Sequence, residues 1–269
     1  MKRILIFIYL FLITFTLSYS QDTDYKQVND FFSAIENNDI IKFKQLINQG
    51  IDVNKVNKDG FSPLHLAIKY NNAEMVKLLL SHKKINMNIV LPKDTIFEDL
   101  DNTKWYADGQ TPLMLASYYG YDDIVLMLLN YGADILARDS IDSAMAIHIA
   151  AAKGMIKALI VLLDSNAAKN TNIVNALDDT STTPLMWAAM NNQVSSIAIL
   201  IRYGADINLQ DDNGWTALHF ASASDSYRAL ELLLKNNANC NITDFEGRKP
   251  IELTNDADIE QLLIKCMQQ

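Results

Sequence analysis

From Asp108 to Asp139 the chain sets short apolar stripes between turn residues in a fixed order. Asp108-Gly109 marks a tight turn, because glycine accepts the positive φ such turns require. Thr111 is placed to N-cap a helix and Pro112 to begin it, since a missing N–H costs nothing at the first helical position. Leu113, Leu115 and Ala116 give that helix an apolar side. After a turn near Gly120, Asp122 and Asp123 suit the positive end of a second helix, whose apolar residues Ile124, Val125, Leu128 and Leu129 keep helical spacing. Gly132 fits the left-handed position that ends a helix. The pattern predicts a unit of turn, helix, turn, helix and stop.

The same unit recurs along the chain. Taking Thr111 as the anchor, its equivalents are Ser62 in SPLHLA, Met145 in MAIHIA, Thr183 in TPLMWA, Thr216 in TALHFA and Lys249 in KPIELT, with a fainter copy at Asn29. The steps between anchors are 33, 49, 34, 38, 33 and 33 residues. Helix stops are expected at Gly50, Gly132, Asn166, Gly204 and Asn237, asparagine being the next-best residue after glycine for a left-handed backbone. In motif, period and helix stop the chain resembles the ankyrin repeat family, whose unit is 33 residues with the signature T-P-L-H-x-A. The resemblance covers nearly everything after about residue 25. It implies an all-α solenoid of helix-turn-helix units with short β-hairpin loops.

Composition narrows the function. The 269 residues are 49% hydrophobic, ample for a continuous core, and carry a net charge of −9. An acidic chain repels phosphate backbones, so nucleic acid is not an expected partner. Met1-Lys2-Arg3, the apolar run Ile4 to Leu17 and the small residues Ser18 and Ser20 have the layout of a secretory signal peptide over residues 1–20. The run is short for a spanning helix, which needs about 20 apolar residues, so no membrane insertion is expected after cleavage. Without Lys2 and Arg3, the only charges in that segment, the net charge is −11. The expected location is therefore exported, the periplasm first and the extracellular space second. The abundance of Ile, Asn and Lys fits an AT-rich bacterial genome.

Residues 25–57 read as an N-terminal capping repeat, with Phe31, Phe32, Ile35, Phe43 and Leu46 inward and Lys26, Asp30, Lys42 and Lys44 outward. Residues 58–245 hold the regular repeats. Within 83–107 lies an insertion of about 16 residues relative to the family period, polar and acidic in its middle and aromatic at its end. By position it enlarges a finger loop, either as a tolerated surface loop or as a recognition loop. Its Asp94, Glu98, Asp99 and Asp101 lack the glycine and terminal glutamate of a calcium loop. The units at Asp142 and Thr180 are irregular: Met145-Ala146 replaces Thr-Pro, and Ser143 and Ser181 replace the turn glycine. Residues 246–269 read as a C-terminal capping repeat with the polar face Glu260, Gln261, Lys265, Gln268 and Gln269.

Candidate chemistry is sparse. His65, His148 and His219 share one slot of the repeat, so they stand about a repeat apart and cannot meet at a metal. The family resemblance gives this histidine structural hydrogen bonds to backbone. Met114 and Met186 fill the same slot elsewhere, which a catalytic role would forbid. Trp187 reads as core. The doublets Asp122-Asp123, Asp178-Asp179 and Asp211-Asp212 read as helix-dipole partners or solvated charge. Cys240 and Cys266 are read first as two buried thiols and second as a disulfide, which an exported chain permits. No cofactor, metal or catalytic set is expected.

Surface recognition remains. In this architecture hairpin tips and first helices line an extended face. The residue before each anchor, Phe61, Gln110, Ala144, Thr182, Trp215 and Arg248, is expected on it, together with Tyr70, Tyr118, Tyr119 and Tyr121. Trp105 and Tyr106 of the insertion should lie near these tyrosines. The candidate partner-binding residues are Phe61, Tyr70, Trp105, Tyr106, Tyr118, Tyr119, Tyr121 and Trp215, aromatics of the kind that anchor interfaces. The expected function is a monomeric, non-catalytic protein–protein interaction module. It would serve as a periplasmic scaffold or as a secreted effector on a host protein, with a ligand-binding or enzymatic role on the insertion a weaker alternative.

Overall fold

The computed structural model describes residues 25–98, 104–169 and 171–268. The expected signal peptide, residues 99–103 of the insertion, Asn170 and Gln269 lie outside the described residues. The chain divides into two compact units between Asn86 and Met87.

The first unit holds α1 over 25–36, α2 (Ile40–Asn48), α3 (Pro63–Lys69) and α4 (Ala73–Leu80). Phe31 and Phe43 are fully buried and stack with ring centroids 4.9 Å apart. Side-chain caps start α2, α3 and α4. Asp39 Oδ1 accepts from Lys42 N at 2.9 Å, Ser62 Oγ from His65 N at 3.2 Å and Asn72 Oδ1 from Met75 N at 3.0 Å. Each satisfies a donor the helix itself cannot, for about 1 kcal/mol.

The second unit begins with a two-stranded antiparallel hairpin made by the insertion. β1 (Ile96–Glu98) pairs with β2 (Lys104–Tyr106), Ile96 opposite Tyr106 and Glu98 opposite Lys104. Leu91, 1% exposed, ties the insertion to the repeat: its N–H donates to Gln110 O and its carbonyl accepts from Gly109 N, both at 3.0 Å. Five helix pairs follow. The first members are α5 (Pro112–Tyr119), α7 (Ala146–Lys153), α9 (Pro184–Met190), α11 (Ala217–Ala223) and the 3-10 turn Pro250–Leu253. The second members are α6 (Asp122–Asn130), α8 (Ile156–Asp164), α10 (Val194–Arg202), α12 (Tyr227–Lys235) and α13 (Ala257–Met267). First members pack on first members and second on second, so the unit is two helical layers with one shared core. The family of folds is the ankyrin-repeat solenoid expected from the sequence.

The finger loops explain why one polar residue recurs before each hairpin tip. Asn57, Asp139, Asp178, Asp211 and Asp244 each turn a side-chain oxygen onto the backbone of the following turn. Asp178 Oδ1 accepts from Thr180 N at 2.9 Å and Thr182 N at 2.8 Å; Asp211 Oδ1 accepts from Asn213 N at 2.9 Å and Trp215 N at 2.7 Å. Both aspartates are buried, so reading Asp178 and Asp211 as solvated charge is corrected: they staple turns. Successive fingers of the second unit are linked by backbone bonds. Ser140 N donates to Asp108 O, Asp179 N to Asp142 O, Asp212 N to Thr180 O and Phe245 N to Asn213 O, all at 3.0 Å. That spacing demands glycine beneath it. A Cβ on Gly109 would lie 2.6 Å from Ser140 N, and one on Gly214 2.8 Å from Phe245 N.

Where the turn lacks glycine, serine is forced to a positive φ: 53° at Ser143 and 61° at Ser181. Left-handed backbone costs a residue with a Cβ about 1–2 kcal/mol. Ser143→Gly is therefore expected to stabilise the protein by about 1 kcal/mol in urea denaturation. Ser181→Gly should gain less, because it also removes the 2.6 Å bond from Ser181 Oγ to Asp212 Oδ1.

Several local expectations are corrected. Asn166 is not left-handed. α8 instead ends at Ser165, which turns to extended backbone while its Oγ donates to Leu162 O at 2.8 Å, closing the helix without a positive φ. KPIELT forms a 3-10 turn, not an α-helix, because the chain must turn at Thr254 to reach Asp256, the N-cap of α13. The position before the anchor is mostly interior: Phe61, Gln110, Ala144 and Thr182 are all buried. Its carbonyl accepts from the finger's stapling residue, as Phe61 O does from Asn57 N at 2.9 Å and Thr182 O from Asp178 N at 3.1 Å, which draws the residue under the turn.

Candidate binding surface

The eight candidate aromatics separate into distinct groups. In the second unit, β2 carries Trp105 over the end of α5. Its indole stacks on Tyr118 with centroids 4.3 Å apart and planes 19° from parallel. Tyr118 meets Tyr119 edge-on at 5.3 Å, and Tyr119 stacks on Tyr121 at 5.3 Å. The cluster joins the inserted hairpin to the turn between α5 and α6, and its four rings are half-buried. Tyr106, on the same strand, is 63% exposed. Packing the insertion down and presenting a surface are thus one arrangement. Lys153, at the end of α7, places Nζ 4.4 Å from the Tyr118 ring centroid and 3.3 Å from its hydroxyl.

Beside the cluster opens a pocket of about 230 Å³, whose lining includes Trp105, Tyr106, Tyr118, Trp187, Asp139 and Asp142. Trp187 was expected in the core. It is half-buried instead, held at the pocket wall by donation from its Nε1 to Asp178 Oδ2 at 2.8 Å. Asp139 Oδ1 accepts from Ile141 N, Asp142 N and Ala144 N at 3.1–3.2 Å. Burial nevertheless holds its carboxyl above the usual carboxylate range, outweighing those donors. The Asp142 carboxyl is also raised, first by desolvation and then by the neighbouring carboxylates of Asp139, Asp179 and Asp178. Asp139 and Asp142 thus bring two mutually repelling carboxylates to the lining of the pocket.

Trp215 belongs to another hollow of the same unit, with Phe220, Phe245 and Arg248. Its ring lies edge-on to Phe220 at 5.1 Å and its Nε1 donates to Asp244 Oδ2 at 3.2 Å. Tyr70 lies in the first unit, 43% exposed, beside Glu36 and Glu74. Phe61 is 8% exposed and is core, so it leaves the candidate surface. Sequence reasoning did not find Asp139, Asp142, Lys153 or Trp187 at the site. The recurring aspartate before the hairpin tip was the available signal for the first.

The histidines act inside the frame. The N–H of Thr216 donates to His219 Nδ1 at 3.1 Å, and His219 Nε2 lies 3.3 Å from Arg248 O of the next finger. His148 repeats this, with Met145 N on Nδ1 at 3.2 Å and Nε2 3.1 Å from Ala176 O. These are contacts to backbone, as the resemblance implied. The reading of two free thiols is corrected: Cys240 and Cys266 are joined in a disulfide, with Cα atoms 6.3 Å apart. It ties α13 to the buried segment before the last finger. Among the described residues no group of three or more His, Cys, Asp or Glu could hold a metal ion, and no helix is long and apolar enough to cross a membrane.

Comparison with known proteins bears on the repeats. The family model for ankyrin repeats (3 copies) matches residues 31–139 and 145–244. The ankyrin repeat protein FPV223 of fowlpox virus is 43% identical over 51 residues, and the palmitoyltransferase AKR1 of Debaryomyces hansenii is 30% identical over 188 residues. The matched segments span 36% and 21% of those proteins' lengths, against 19% and 67% of this chain. The ankyrin repeat domain of human ASB11 superimposes with a TM-score of 0.70 at 26% identity, covering 88% of this chain and 96% of that domain. The ankyrin repeat domain of Bcl-3, a member of the IkappaB family, gives a TM-score of 0.70 at 22% identity, covering 89% and 98%.

Proposed function

Because the chain belongs to the ankyrin repeat family, we propose that it is a non-catalytic protein-binding module working outside the cytoplasm, and that its partner docks on the Trp105–Tyr118–Tyr119–Tyr121 surface. Ankyrin repeats are protein–protein interaction modules, and the observation that carries the choice of surface is the stacked aromatic cluster. Half-buried, mutually braced rings offer contact area at little entropic cost on binding, as interface hot spots do. Export is supported by the leader-like residues 1–20 and by the Cys240–Cys266 disulfide, a bond that persists in oxidising compartments. The periplasm of a bacterium is the preferred location and a scaffold for an envelope protein the preferred role. A secreted effector that engages a host protein is the second reading.

Crosslinking of the tagged protein in its native cell, followed by mass spectrometry, tests the proposal. One dominant envelope protein in osmotic-shock fluid is expected. Its capture should fall about 30-fold in the Tyr118→Ala, Tyr121→Ala double variant, a loss of about 1 kcal/mol for each ring. Undiminished capture by a variant with wild-type circular dichroism would remove the surface assignment. Recovery in culture supernatant would favour the effector.

A further inference from the structure

We propose that the pocket between the inserted hairpin and the first fingers of the second unit accepts an arginine side chain from a basic, extended segment of the protein partner. The inference rests on the interaction reading and gives it a chemistry. Three observations carry it.

The first is charge distribution. Residues 87–269 contain 24 Asp and Glu against 12 Lys and Arg, whereas residues 1–86 contain 8 against 11. The whole negative balance of the chain therefore lies in the second unit. Along its fingers Asp142, Asp179, Asp212 and Glu246 are exposed. A basic segment is steered to such a surface, and an acidic one is repelled.

The second is the shape of the pocket. Trp105, braced by its stack on Tyr118, and Trp187 line the same pocket as Asp139 and Asp142. A planar guanidinium stacks on an indole while its N–H groups reach carboxylate oxygens, a combination a compact ammonium cannot match.

The third is an internal precedent. In the last finger the chain supplies the guanidinium itself. Arg248 Nε donates to Asp244 Oδ2 at 2.8 Å, and an Arg248 terminal nitrogen lies 3.0 Å from Glu246, beside Trp215. Against its desolvation, the Arg248 backbone N–H, the Arg248 guanidinium and the Glu246 N–H together hold the Asp244 carboxyl below the usual range. In the finger of Asp139 the equivalent residue is Ala144, fully buried, and no cation of the chain pairs with Asp139 or Asp142 among the described residues. The finger of Asp139 is one residue longer than the last, and its own guanidinium, Arg138, donates instead to Ser143 O and Leu177 O at 2.9 and 2.8 Å, so the place that Arg248 takes beside Asp244 has no counterpart side chain here. The cation that borders this pocket, Lys153, sits on Tyr118. It is exposed and its partner is a neutral ring, so an entering guanidinium competes with it for the same aromatic surface.

Fluorescence anisotropy on the oxidised full chain tests this with the labelled dodecapeptide (Arg-Gly-Ser)4 at low salt. Micromolar binding is expected, with (Gln-Gly-Ser)4 unbound and (Lys-Gly-Ser)4 several-fold weaker. Trp105→Ala and Asp142→Asn should each weaken binding about tenfold. Lys153→Gln should tighten it about threefold by removing a competing cation, and this gain of affinity cannot come from misfolding. Equal binding of the glutamine or lysine peptide, wild-type binding by both weakening variants, or a loss of affinity in Lys153→Gln would each overturn the proposal. The two readings fail separately. A crosslinked partner that stays bound to Asp142→Asn leaves the interaction module standing and removes the arginine pocket. Peptide binding with the expected pattern, but no captured protein, does the reverse.

Discussion

Replacing Cys240 and Cys266 together by alanine is expected to lower the stability of the C-terminal repeat by about 3–4 kcal/mol, the chain-entropy value for a loop of the 26-residue span that the disulfide closes. The effect should be local. Among the described residues α13 packs mainly on α12 and on the short 3-10 turn. Repeat stability is a sum of unit and neighbour-interface contributions, so loss of one tie is felt first in the unit that it holds. In urea denaturation followed by circular dichroism, the variant and the dithiothreitol-treated wild type should both show an early phase, corresponding to the loss of α13, that the oxidised protein lacks. Coincident single transitions in oxidised and reduced protein would show that packing of Ile259 and Leu263 alone secures the helix. Serine would be a poorer test than alanine, because residue 240 is 2% exposed and an unpaired hydroxyl there adds its own cost.

The second large effect is on pH. Burial pushes His148 down to about 4, against the pull of Asp178 and its backbone contacts. The unfolded chain takes up this proton near pH 6.5, and the folded chain resists until about pH 4. Stability from this group is therefore complete above pH 6.5 and is lost as pH falls through that window, by about 3 kcal/mol in all. His219 is lowered by burial too and acts with the same sign. Asp139 and Asp142 oppose it, since a raised carboxyl pKa makes the folded state gain relative stability as acid protonates it. The control is His148→Met. Methionine serves this slot in two other repeats, where Met114 Sδ accepts from Thr111 N at 3.4 Å and Met186 Sδ from Thr183 N at 3.3 Å. Denaturation midpoints from pH 7.5 to 4.5 should fall for the wild type and much less for His148→Met. Parallel profiles would rule out His148 as the main titrating group.

What the sequence made legible follows from how local its signals were. Thr111-Pro112 and Thr183-Pro184 start helices because cap and proline act within one turn of backbone. The helix-pair period, the glycine turns and the histidine slot are likewise properties of one repeat copied along the chain. The proximity of Trp105 to Tyr118 was readable too, since the insertion ends where the next unit begins. The same reasoning misplaced Phe61 and Trp187. A residue before the anchor has an alternating position in sequence, but its burial depends on how far the finger folds over it. Trp187 has a helical phase that points inward, and the donation of its indole to Asp178 holds it at the rim. Asp178 and Asp211 read as charge at a loop tip, because sequence does not show which backbone N–H groups a carboxylate will face.

The sequence alone therefore determined the repeat, its period, the places where it breaks and the excess of acid. These are contacts made within about 33 residues, so they are written in each copy. The tertiary structure alone decided that Cys240 meets Cys266, that an inserted hairpin leans on α5, and that Trp105, Trp187, Asp139 and Asp142 surround one pocket. Each of those depends on the stacking of one repeat on the next. Stacking is set by the summed packing of two helical layers, which no single residue pattern records.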